Sequence, residues 1–356
     1  MRRRLLQIFL VLVLAAVAVF WWWSRPLPVL NVVTWPGAYG RAQATAQILP
    51  YGVQKRADVR IQQWADNGTL DELRSAIASH RAGDVVDLEM PVATAACQAG
   101  LLESIDPATL PAGDDGTAAD SDFLKGMVGP CFVASAVYAQ MIVCLPCRAG
   151  QTGMPGLFAM VANGEKIALQ RGAKVNLEMA LLADGVKPEE VYPMLETDAG
   201  VTRAFAKLDT IKSSIVWWTR ADQPIALLRS SEVRIATALT ADVQAATAHV
   251  NLPLFVPQFY EADVLAVPKG GARTDLAMAY VRFATGTVPL AQMVKFAPYS
   301  PPRRSSRAAV GQLPASPNRD FVVAQGDALD RSFAIDDSWW GSHGPALEAR
   351  FRAWAD

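Results

Sequence analysis

The sequence predicts an α/β fold of two lobes, on the basis of three observations. First, the chain has 356 residues, which is more than one domain of ordinary size and suits two. Second, short β-branched runs alternate with segments of helical periodicity, a pattern typical of parallel strands joined by crossover helices. Third, two longer apolar segments, Cys131 to Cys144 and Tyr260 to Val267, suit strands that pass from one lobe to the other.

The first half of the chain predicts a β-α-β-α-β order. Thr69 and Glu72 form a capping box that starts the second helix, with Thr69 at the N-cap and Glu72 three residues later. The predicted strands are Val29–Thr34, Val59–Gln62 and Asp84–Leu88, and the first helix is Arg41–Lys55. Strands in this order are expected to be parallel, with the helices as crossovers.

The second half repeats the alternation. A helix begins at Asn176 and ends near Gly185, because glycine is the usual residue just past a helix C-terminus. The other predicted elements are strands Lys166–Leu169, Ile215–Trp218 and Val233–Ala238, helices that begin at Pro188 and Pro224, and helices Arg203–Ile211, Asp275–Thr285 and Leu290–Lys295.

Composition excludes several classes of protein. The 51% hydrophobic residues exclude intrinsic disorder, because disordered chains lack the apolar surface that a core needs. The formal net charge of -1 lacks the basic footprint of a nucleic-acid-binding protein, so no nucleic-acid partner is expected. The sequence contains no nucleophile elbow, phosphate-binding glycine loop or zinc-protease motif, which favours binding over catalysis. Its three histidines stand apart without ligand spacing, so we expect neither a metal nor a cofactor.

The N-terminus predicts export. Met1 to Arg4 is basic, and Leu5 to Trp23 follows without a charged residue. The small residues Ala16 to Ala18 favour a cleaved signal peptide. The length of the apolar run and the tryptophans at its end favour a retained membrane anchor. Both alternatives place the body of the protein in the periplasm. In the second, residues 5–23 tether it to the inner membrane.

The four cysteines suggest disulfides, since an exported chain meets an oxidising environment, and four cysteines allow three pairings. Cys144 and Cys147 could form a redox pair, a metal half-site or a small closed loop. Redox activity requires a helix N-terminus at the pair, whereas residues 148–151 read as a loop. Structural disulfides are therefore favoured, Cys97 with Cys131 and Cys144 with Cys147.

Several motifs resemble those of one family in the correct order. They are Thr34–Gly40, Asp84–Glu89, Ala96–Leu102 with the later Cys131, Lys174–Val186, Arg203–Leu208, Ile215–Trp218, Pro298–Pro301 and Trp339–Trp340. In these motifs the sequence resembles the substrate-binding proteins of ABC importers, specifically the spermidine/putrescine-binding group, over roughly residues 29 to 355.

The resemblance implies a type II periplasmic-binding-protein clamshell with two crossing hinge strands, preceded by an N-terminal apolar helix. The implied division is residues 1–28 as export signal or anchor and linker, 29–133 with 264–310 as lobe 1, 134–263 as lobe 2, and 311–356 as a C-terminal helical segment packing on the lobes. Two-lobed binders close around a small ligand by hinge motion.

The resemblance also implies a ligand site between the lobes. Polyamine-binding relatives enclose a protonated amine between aromatic faces and carboxylates, and a cation–π contact is worth about 0.5–2 kcal/mol. The implied ligand-binding residues are Trp35, Tyr39, Glu89, Arg171, Asn176, Trp218, Gln223, Glu261, Asp263 and Tyr299. Trp35 and Trp218 could instead be aromatic residues of the core. Asp263 could instead be a solvated charge at the end of a strand.

Arg171 departs from the family pattern, because polyamine binders carry an acid near this position. Facing the cleft, Arg171 would suit a zwitterion or a carboxylate, with Asp263 taking the amine; a surface charge is the alternative. A classical polyamine ligand is accordingly disfavoured.

These readings predict a non-catalytic, monomeric, periplasmic solute-binding protein of an ABC importer. It would capture a small amine-containing solute, polyamine-like or amino-acid-like, and deliver it to permease subunits in the inner membrane. The alternative is a membrane-anchored sensor on the same fold.

Overall fold

The fold is described from a computed structural model, which covers residues 13–14, 26–65, 68–145, 153–220, 222–247, 254–314, 318–319 and 332–356. The strands are β1 Val29–Thr34, β2 Asp58–Gln63, β3 Val85–Glu89, β4 Phe132–Cys144, β5 Ile167–Gln170, β6 Ile215–Trp218, β7 Ile235–Leu239, β8 Leu254–Ala266 and β9 Phe333–Ala334.

Helices separate these strands. They are α1 Gly37–Gln43, α2 Leu49–Lys55, α3 Leu70–Ala78, α4 Met90–Gln98, α5 Ala119–Asp122, α6 Gly153–Ala162, α7 Asn176–Ala183, α8 Val191–Leu195, α9 Asp198–Asp209, α10 Gln223–Arg229, α11 Thr240–Thr247, α12 Thr274–Ala284, α13 Thr287–Met293, α14 Arg304–Gln312 and α15 Asp337–Ala355. A π-helical turn, Ala44–Ile48, joins α1 to α2, so one continuous helical segment runs from Gly37 to Lys55. It begins before the predicted start at Arg41 and ends at the predicted Lys55.

All these strands belong to one sheet in the order β2-β1-β3-β8-β4-β7-β5-β6, with β9 beside β8. β1 lies parallel to β2 and β3, and β5 lies parallel to β6 and β7. The long strands β4 and β8 are antiparallel and join the two parallel groups. The predicted crossing strands are thus confirmed, although β8 begins at Leu254, earlier than the predicted Tyr260.

Local signals in the sequence explain several helix boundaries. The Thr69 hydroxyl accepts a hydrogen bond from the Glu72 amide at 3.2 Å, and the Glu72 carboxylate accepts one from the Gly68 amide at 2.9 Å. The first contact satisfies a backbone donor that a helix N-terminus leaves free, and the second ties the residue before the N-cap to the first turn. Gly185 has a φ of 84° just past α7, as the predicted glycine C-cap requires.

Two large apolar cores lie on either side of the crossing strands. The first is built on β1, β3 and the apolar residues at the end of β8, which are Ala262 and Val264 to Ala266. The second is built on α7, α9 and β5, and it includes Trp340 and Phe351 of the C-terminal helix α15. A smaller core around Trp218 covers the other face of β5 and β7. These cores agree in outline with two lobes, and the boundaries given above stay predictions.

The predicted disulfide between Cys97 and Cys131 is confirmed, with 5.7 Å between the Cα atoms. It joins the last turn of α4 to the residue before β4. Cys144 is also disulfide-bonded, and its predicted partner Cys147 lies outside the described residues.

The predicted export segment, residues 5–23, falls outside the described residues except for 13–14. Among the residues that the structure describes, no helix combines the length and apolar character needed to cross a bilayer.

Candidate functional site

The middle of the β4–β8 pair is where the two parallel strand groups meet. The strand register places Glu89, the last residue of β3, opposite Asp263 of β8. On the other side of β8, Asp263 pairs with Ala136 and Glu261 pairs with Tyr138. Alternate residues of a strand face the same way, so Glu261 and Asp263 lie on one face. The candidate site is this face together with the loops that cover it.

Asp87 organises the first-lobe side of the site. Its carboxylate accepts hydrogen bonds from the Trp35 indole at 3.0 Å, the Tyr39 hydroxyl at 2.7 Å and the Gln43 amide. The Ser135 hydroxyl of β4 donates to the same carboxylate at 3.3 Å. Burial raises the pKa of Asp87 to about 7, and these hydrogen bonds limit the rise. Asp87 therefore fixes the positions of Trp35 in the loop after β1 and of Tyr39 in α1.

Tyr39 and Tyr299 form an aromatic pair beside this network. Their ring centroids are 4.9 Å apart with the rings nearly perpendicular. Burial raises the pKa of Tyr299 above its ordinary value, and the carboxylate of Asp263 raises it further. The same carboxylate contributes to the raised pKa of Tyr39, after burial and Asp87. Both tyrosines therefore lie close to Asp263.

Asp263 is buried without a partner. The residue is 6% exposed. Among the residues that the structure describes, the one side-chain hydrogen bond to Asp263 reaches its backbone carbonyl, from the Ser135 hydroxyl at 3.2 Å, and none reaches its carboxylate. Burial raises the pKa of Asp263 well above its ordinary value, and the carboxylates of Asp87 and Glu89 raise it further. A buried carboxylate in this state is expected to bind a cation or to take up a proton.

Lys174 lies at the second-lobe side of the same face. Its ammonium forms an ion pair with Glu261, which also accepts a hydrogen bond from the Tyr138 hydroxyl at 3.5 Å. Burial lowers the pKa of Lys174, but the carboxylates of Glu261, Glu89 and Asp337 outweigh this and raise it. Asp337, the first residue of α15, is 3% exposed and has one carboxylate oxygen without a described hydrogen-bond partner.

The remaining predicted site residues make structural contacts in the second lobe. Trp218 is buried in the core and its indole donates to the Thr237 hydroxyl at 3.2 Å, which supports the alternative reading of Trp218 as a core residue. The side-chain carbonyl of Gln223 accepts hydrogen bonds from two backbone amides of the loop before it. The side-chain amide of Asn176 donates to the backbone carbonyls of Gln170 and Gly172, at 2.7 Å each. These polar groups are already occupied in holding the loops after β6 and β5.

The Arg171 side chain is paired with a residue of the C-terminal helix. It forms an ion pair with Asp356 at the end of α15, and its side chain is 39% exposed. This contact supports the alternative reading of Arg171 as a surface charge, so a ligand carboxylate would need another cation.

Sequence reasoning missed three residues of the site: Asp87, Lys174 and Asp337. Asp87 could have been found, since it alternates with Glu89 in one strand and must share its face. Lys174 begins the segment that resembles the family most closely, but nothing in the sequence brings it to Glu261. Asp337 requires knowledge of where α15 packs. Among the described residues, no group of three or more acidic, histidine or cysteine side chains is placed to hold a metal ion.

Comparison with known families identifies the type of protein. The family model of the bacterial extracellular solute-binding proteins matches residues 50–319, about three quarters of the chain. The chain belongs to this family. Its members are substrate-binding proteins and not enzymes, which confirms the non-catalytic prediction. The chain is a solute-binding component of an ABC transporter, and the extracellular family implies a periplasmic location.

Individual relatives agree with this assignment. The gamma-aminobutyric acid-binding protein of Pseudomonas aeruginosa is 31% identical over 333 residues, which cover 92% of this chain and 90% of that protein. A solved structure described as a GABA receptor has a TM-score of 0.76 at 26% identity, covering 92% of this chain and 97% of that one. An ABC transporter substrate-binding protein from Bradyrhizobium japonicum has a TM-score of 0.79 at 23% identity, over 92% and 100% of the two chains. At 23% identity, the similarity to the Bradyrhizobium japonicum protein is evidence for the fold alone.

Proposed function

We propose that this chain captures a small solute with a protonated amine, that Asp263 accepts the ammonium, and that the solute is delivered to a membrane permease. The observation that carries the proposal is the buried carboxylate of Asp263, which has no partner among the described residues. An isolated buried charge is costly, and an ammonium from the ligand would remove that cost.

The surroundings of Asp263 support an amine. Tyr39 and Tyr299 lie beside it as a perpendicular pair, and aromatic faces attract an ammonium with about 0.5–2 kcal/mol per contact. The Asp87 network holds Tyr39 in place before any ligand arrives. Such preorganisation improves affinity because the ordering cost has already been met.

The relatives narrow the solute class. Two similar proteins are named for gamma-aminobutyric acid (GABA), a primary amine with a carboxylate at the other end. We propose an amino-acid-like solute of this kind in place of a polyamine.

Isothermal titration calorimetry with GABA tests the proposal. We expect binding by the wild type and a loss of at least about tenfold in affinity for Asp263→Asn, because a charge-assisted hydrogen bond is worth about 1.5–3 kcal/mol. The matched control is Asp71→Asn, since the Asp71 side chain is 92% exposed. Tyr299→Phe should retain affinity and Tyr299→Ala should lose part of it, because only the first keeps the aromatic face.

Two results would contradict the proposal. One is a wild type that binds no amine in a panel of amino acids, diamines and polyamines. The other is an Asp263→Asn variant with unchanged affinity for the amine that the wild type binds. Uptake of labelled GABA by cells with and without this gene tests delivery to a permease.

A further inference from the structure

The crossing strand β4 changes its neighbours within a few residues. Val137 exchanges backbone hydrogen bonds with Ser300 of the first lobe, at 2.8 Å in each direction. Two residues later, the backbone amide and carbonyl of Ala139 are both bonded to the Thr240 hydroxyl of the second lobe, at 3.0 Å each. A single residue, Tyr138, separates the two attachments.

The other crossing strand, β8, changes its neighbours at the same level. Its last pair with β3 of the first lobe is Asp263 with Glu89. Pairing with β9, which packs in the second core, begins at Tyr260. Glu261 lies between these contacts and pairs with Tyr138 across the two strands. The sheet can bend at Tyr138 and Glu261 with the least loss of hydrogen bonds, and these two residues are here called the hinge pair.

Helix α15 is fixed to the second lobe along its length. The Trp340 indole donates to the Glu178 carboxylate of α7 at 2.6 Å, and the Glu348 carboxylate accepts from the Ala173 amide at 2.9 Å. Phe351 is fully buried in the second core. We therefore expect α15 to move with the second lobe as one body.

The first residue of α15, Asp337, lies beside the hinge pair. Asp337 is 3% exposed. Burial raises its pKa well above the ordinary value and the Glu261 carboxylate raises it further, whereas Lys174 and a hydrogen bond from the Ala262 backbone amide limit the rise. Glu261 and Ala262 are consecutive residues of β8, so α15 begins next to the point where the sheet can bend.

One turn later, α15 also touches the first lobe. A Cβ atom on Gly341 would lie 3.1 Å from the Pro91 carbonyl oxygen of α4 and 3.4 Å from the Thr94 Cβ atom. The close approach of the two helices therefore depends on glycine, which has no Cβ atom. Helix α4 in turn belongs to the first core through Ala93 and Ala96. The contact joins the two lobes at a point outside the crossing strands.

This contact has a short lever arm. Gly341 follows Asp337 by four residues, which is about 6 Å along the helix axis. Separating α15 from α4 by about 1 Å at this distance from the hinge turns one lobe by about 10°. Points about 15–20 Å from the hinge, near the far side of a lobe, then move by about 3 Å.

We propose that α15 is a third connection between the lobes, and that the contact of Gly341 with α4 sets the angle between the lobes in the absence of solute. The helix is held by the second core, and α4 moves against it when β4 and β8 bend at the hinge pair. This inference concerns the resting conformation of the protein and goes beyond the capture of a solute.

Pulsed electron paramagnetic resonance without solute tests the inference. Spin labels on Asp71→Cys and Glu189→Cys, exposed residues of the first and second lobes, report the distance between the lobes. Gly341→Leu forces the helices apart, so we expect it to change the mean distance by about 3 Å relative to the labelled wild type. Gly341→Ala requires a separation of only a few tenths of an ångström and should change it by about 1 Å.

Two further variants control for effects unrelated to the contact. Gly311→Leu places the same side chain on a helical glycine of α14, where a Cβ atom would meet open space, and should leave the distance unchanged. Thr94→Ala, added to Gly341→Leu, removes a methyl group that lies 3.4 Å from the position of the new Cβ and should reverse part of the change. If Gly341→Leu fails to fold, Gly341→Ala still tests the inference, because alanine is the strongest helix former.

The outcomes are decisive in both directions. A shift in Gly341→Leu that Thr94→Ala partly reverses, with no shift in Gly311→Leu, supports the role of α15. A folded Gly341→Leu whose mean distance stays within about 1 Å of wild type overturns it, as does an equal shift in Gly311→Leu. Because no solute is present, failure of this inference leaves the proposed function intact, and a protein that binds no amine leaves this inference intact.

Discussion

Two buried aspartates, Asp122 and Asp263, show opposite treatment of the same chemical group. Asp122 is 1% exposed, and its carboxylate accepts hydrogen bonds from Arg303 Nε at 2.6 Å and from the Ser305 amide and hydroxyl at 2.7 and 2.6 Å. Arg303 is itself fully buried and also donates to two backbone carbonyls. Asp263 is 6% exposed and has no such partner in the described part of the chain.

The difference separates a structural carboxylate from a binding one. At Asp122 the protein supplies the cation and every hydrogen bond, so the group joins α5 to the start of α14 and has no capacity left for a ligand. At Asp263 the protein supplies burial and aromatic neighbours but no cation. A site that leaves a buried charge unmatched gives up stability, which is common where a protein binds a ligand.

The largest effect is expected at Asp122. Asp122→Asn leaves the buried Arg303 guanidinium without a counter-charge, and breaking a buried ion pair in this way costs about 3–5 kcal/mol. Urea denaturation should show this loss in the free energy of unfolding, with affinity for the solute unchanged in the fraction that remains folded. Asp120→Asn is the control, since Asp120 is exposed two residues earlier. A loss below about 1 kcal/mol at Asp122 would remove the contrast between the two aspartates.

Asp87 is intermediate between Asp122 and Asp263. Its carboxylate is fully hydrogen-bonded within the protein, as at Asp122, but the donors are residues of the candidate site. Asp87→Asn places an amide where donors from Trp35 and Tyr39 converge, so we expect a loss of about 1–3 kcal/mol in stability. Affinity for the solute should fall as well, because Tyr39 loses its anchor. Calorimetry at a temperature where the variant is fully folded separates the two effects. Unchanged affinity would limit Asp87 to a structural role.

The α/β architecture could be predicted from the sequence because it depends on local signals. β-branched runs, the capping box at Thr69 and the apolar length of β4 each report on their own segment. The sequence predicted that β8 begins at Tyr260, whereas it begins at Leu254, because residues 254–259 gain their strand character from pairing with β4. Long-range pairing of this kind is not visible in one segment.

The site was predictable only in part, for the same reason. Tyr39, Glu89, Glu261, Asp263 and Tyr299 were implied by the resemblance to the family, and they stay predictions as ligand contacts. For Trp218 and Arg171 the sequence left a core or surface role open, and the fold places Trp218 in a core and pairs Arg171 with Asp356, in agreement with those alternatives. Lys174 reaches Glu261 from 87 residues away in sequence, and spacing carries no sign of such a contact.

Only one carboxylate oxygen of Glu178 has a described hydrogen-bond partner, and ionisation of this group should make the stability of the protein depend on pH. One oxygen accepts from the Trp340 indole at 2.6 Å and the Tyr192 hydroxyl at 3.1 Å, and the other has no described partner. Burial raises its pKa from an ordinary value of 4.5 to about 7 in the folded protein. Because the folded state holds the proton more tightly, Glu178 makes stability fall as pH rises from about 4.5 to 7.

Glu178→Gln should remove that part of the slope. The variant gains stability relative to wild type by about 2–3 kcal/mol between pH 5 and pH 8, as measured by denaturation at both values. Glu165→Gln is the comparison, since Glu165 forms an ion pair with Arg234 at the second-lobe surface. An equal difference between variant and wild type at pH 5 and pH 8 would contradict the assignment to Glu178.

The smallest expected effect is at Asp263 in the absence of solute, and it is opposite in sign to the effect at Asp122. Burial and neighbouring carboxylates raise its pKa, so the folded state holds the proton and the ionised group destabilises the protein at pH 8. Asp263→Asn should therefore raise the free energy of unfolding by roughly 0.5–1 kcal/mol at pH 8, with the gain vanishing at acid pH, where Asp263 is protonated in both states. The same substitution thus destabilises the protein at Asp122 and stabilises it at Asp263. Loss of stability at both positions would mean that Asp263 has a partner inside the protein, and its carboxylate would then not be reserved for a ligand.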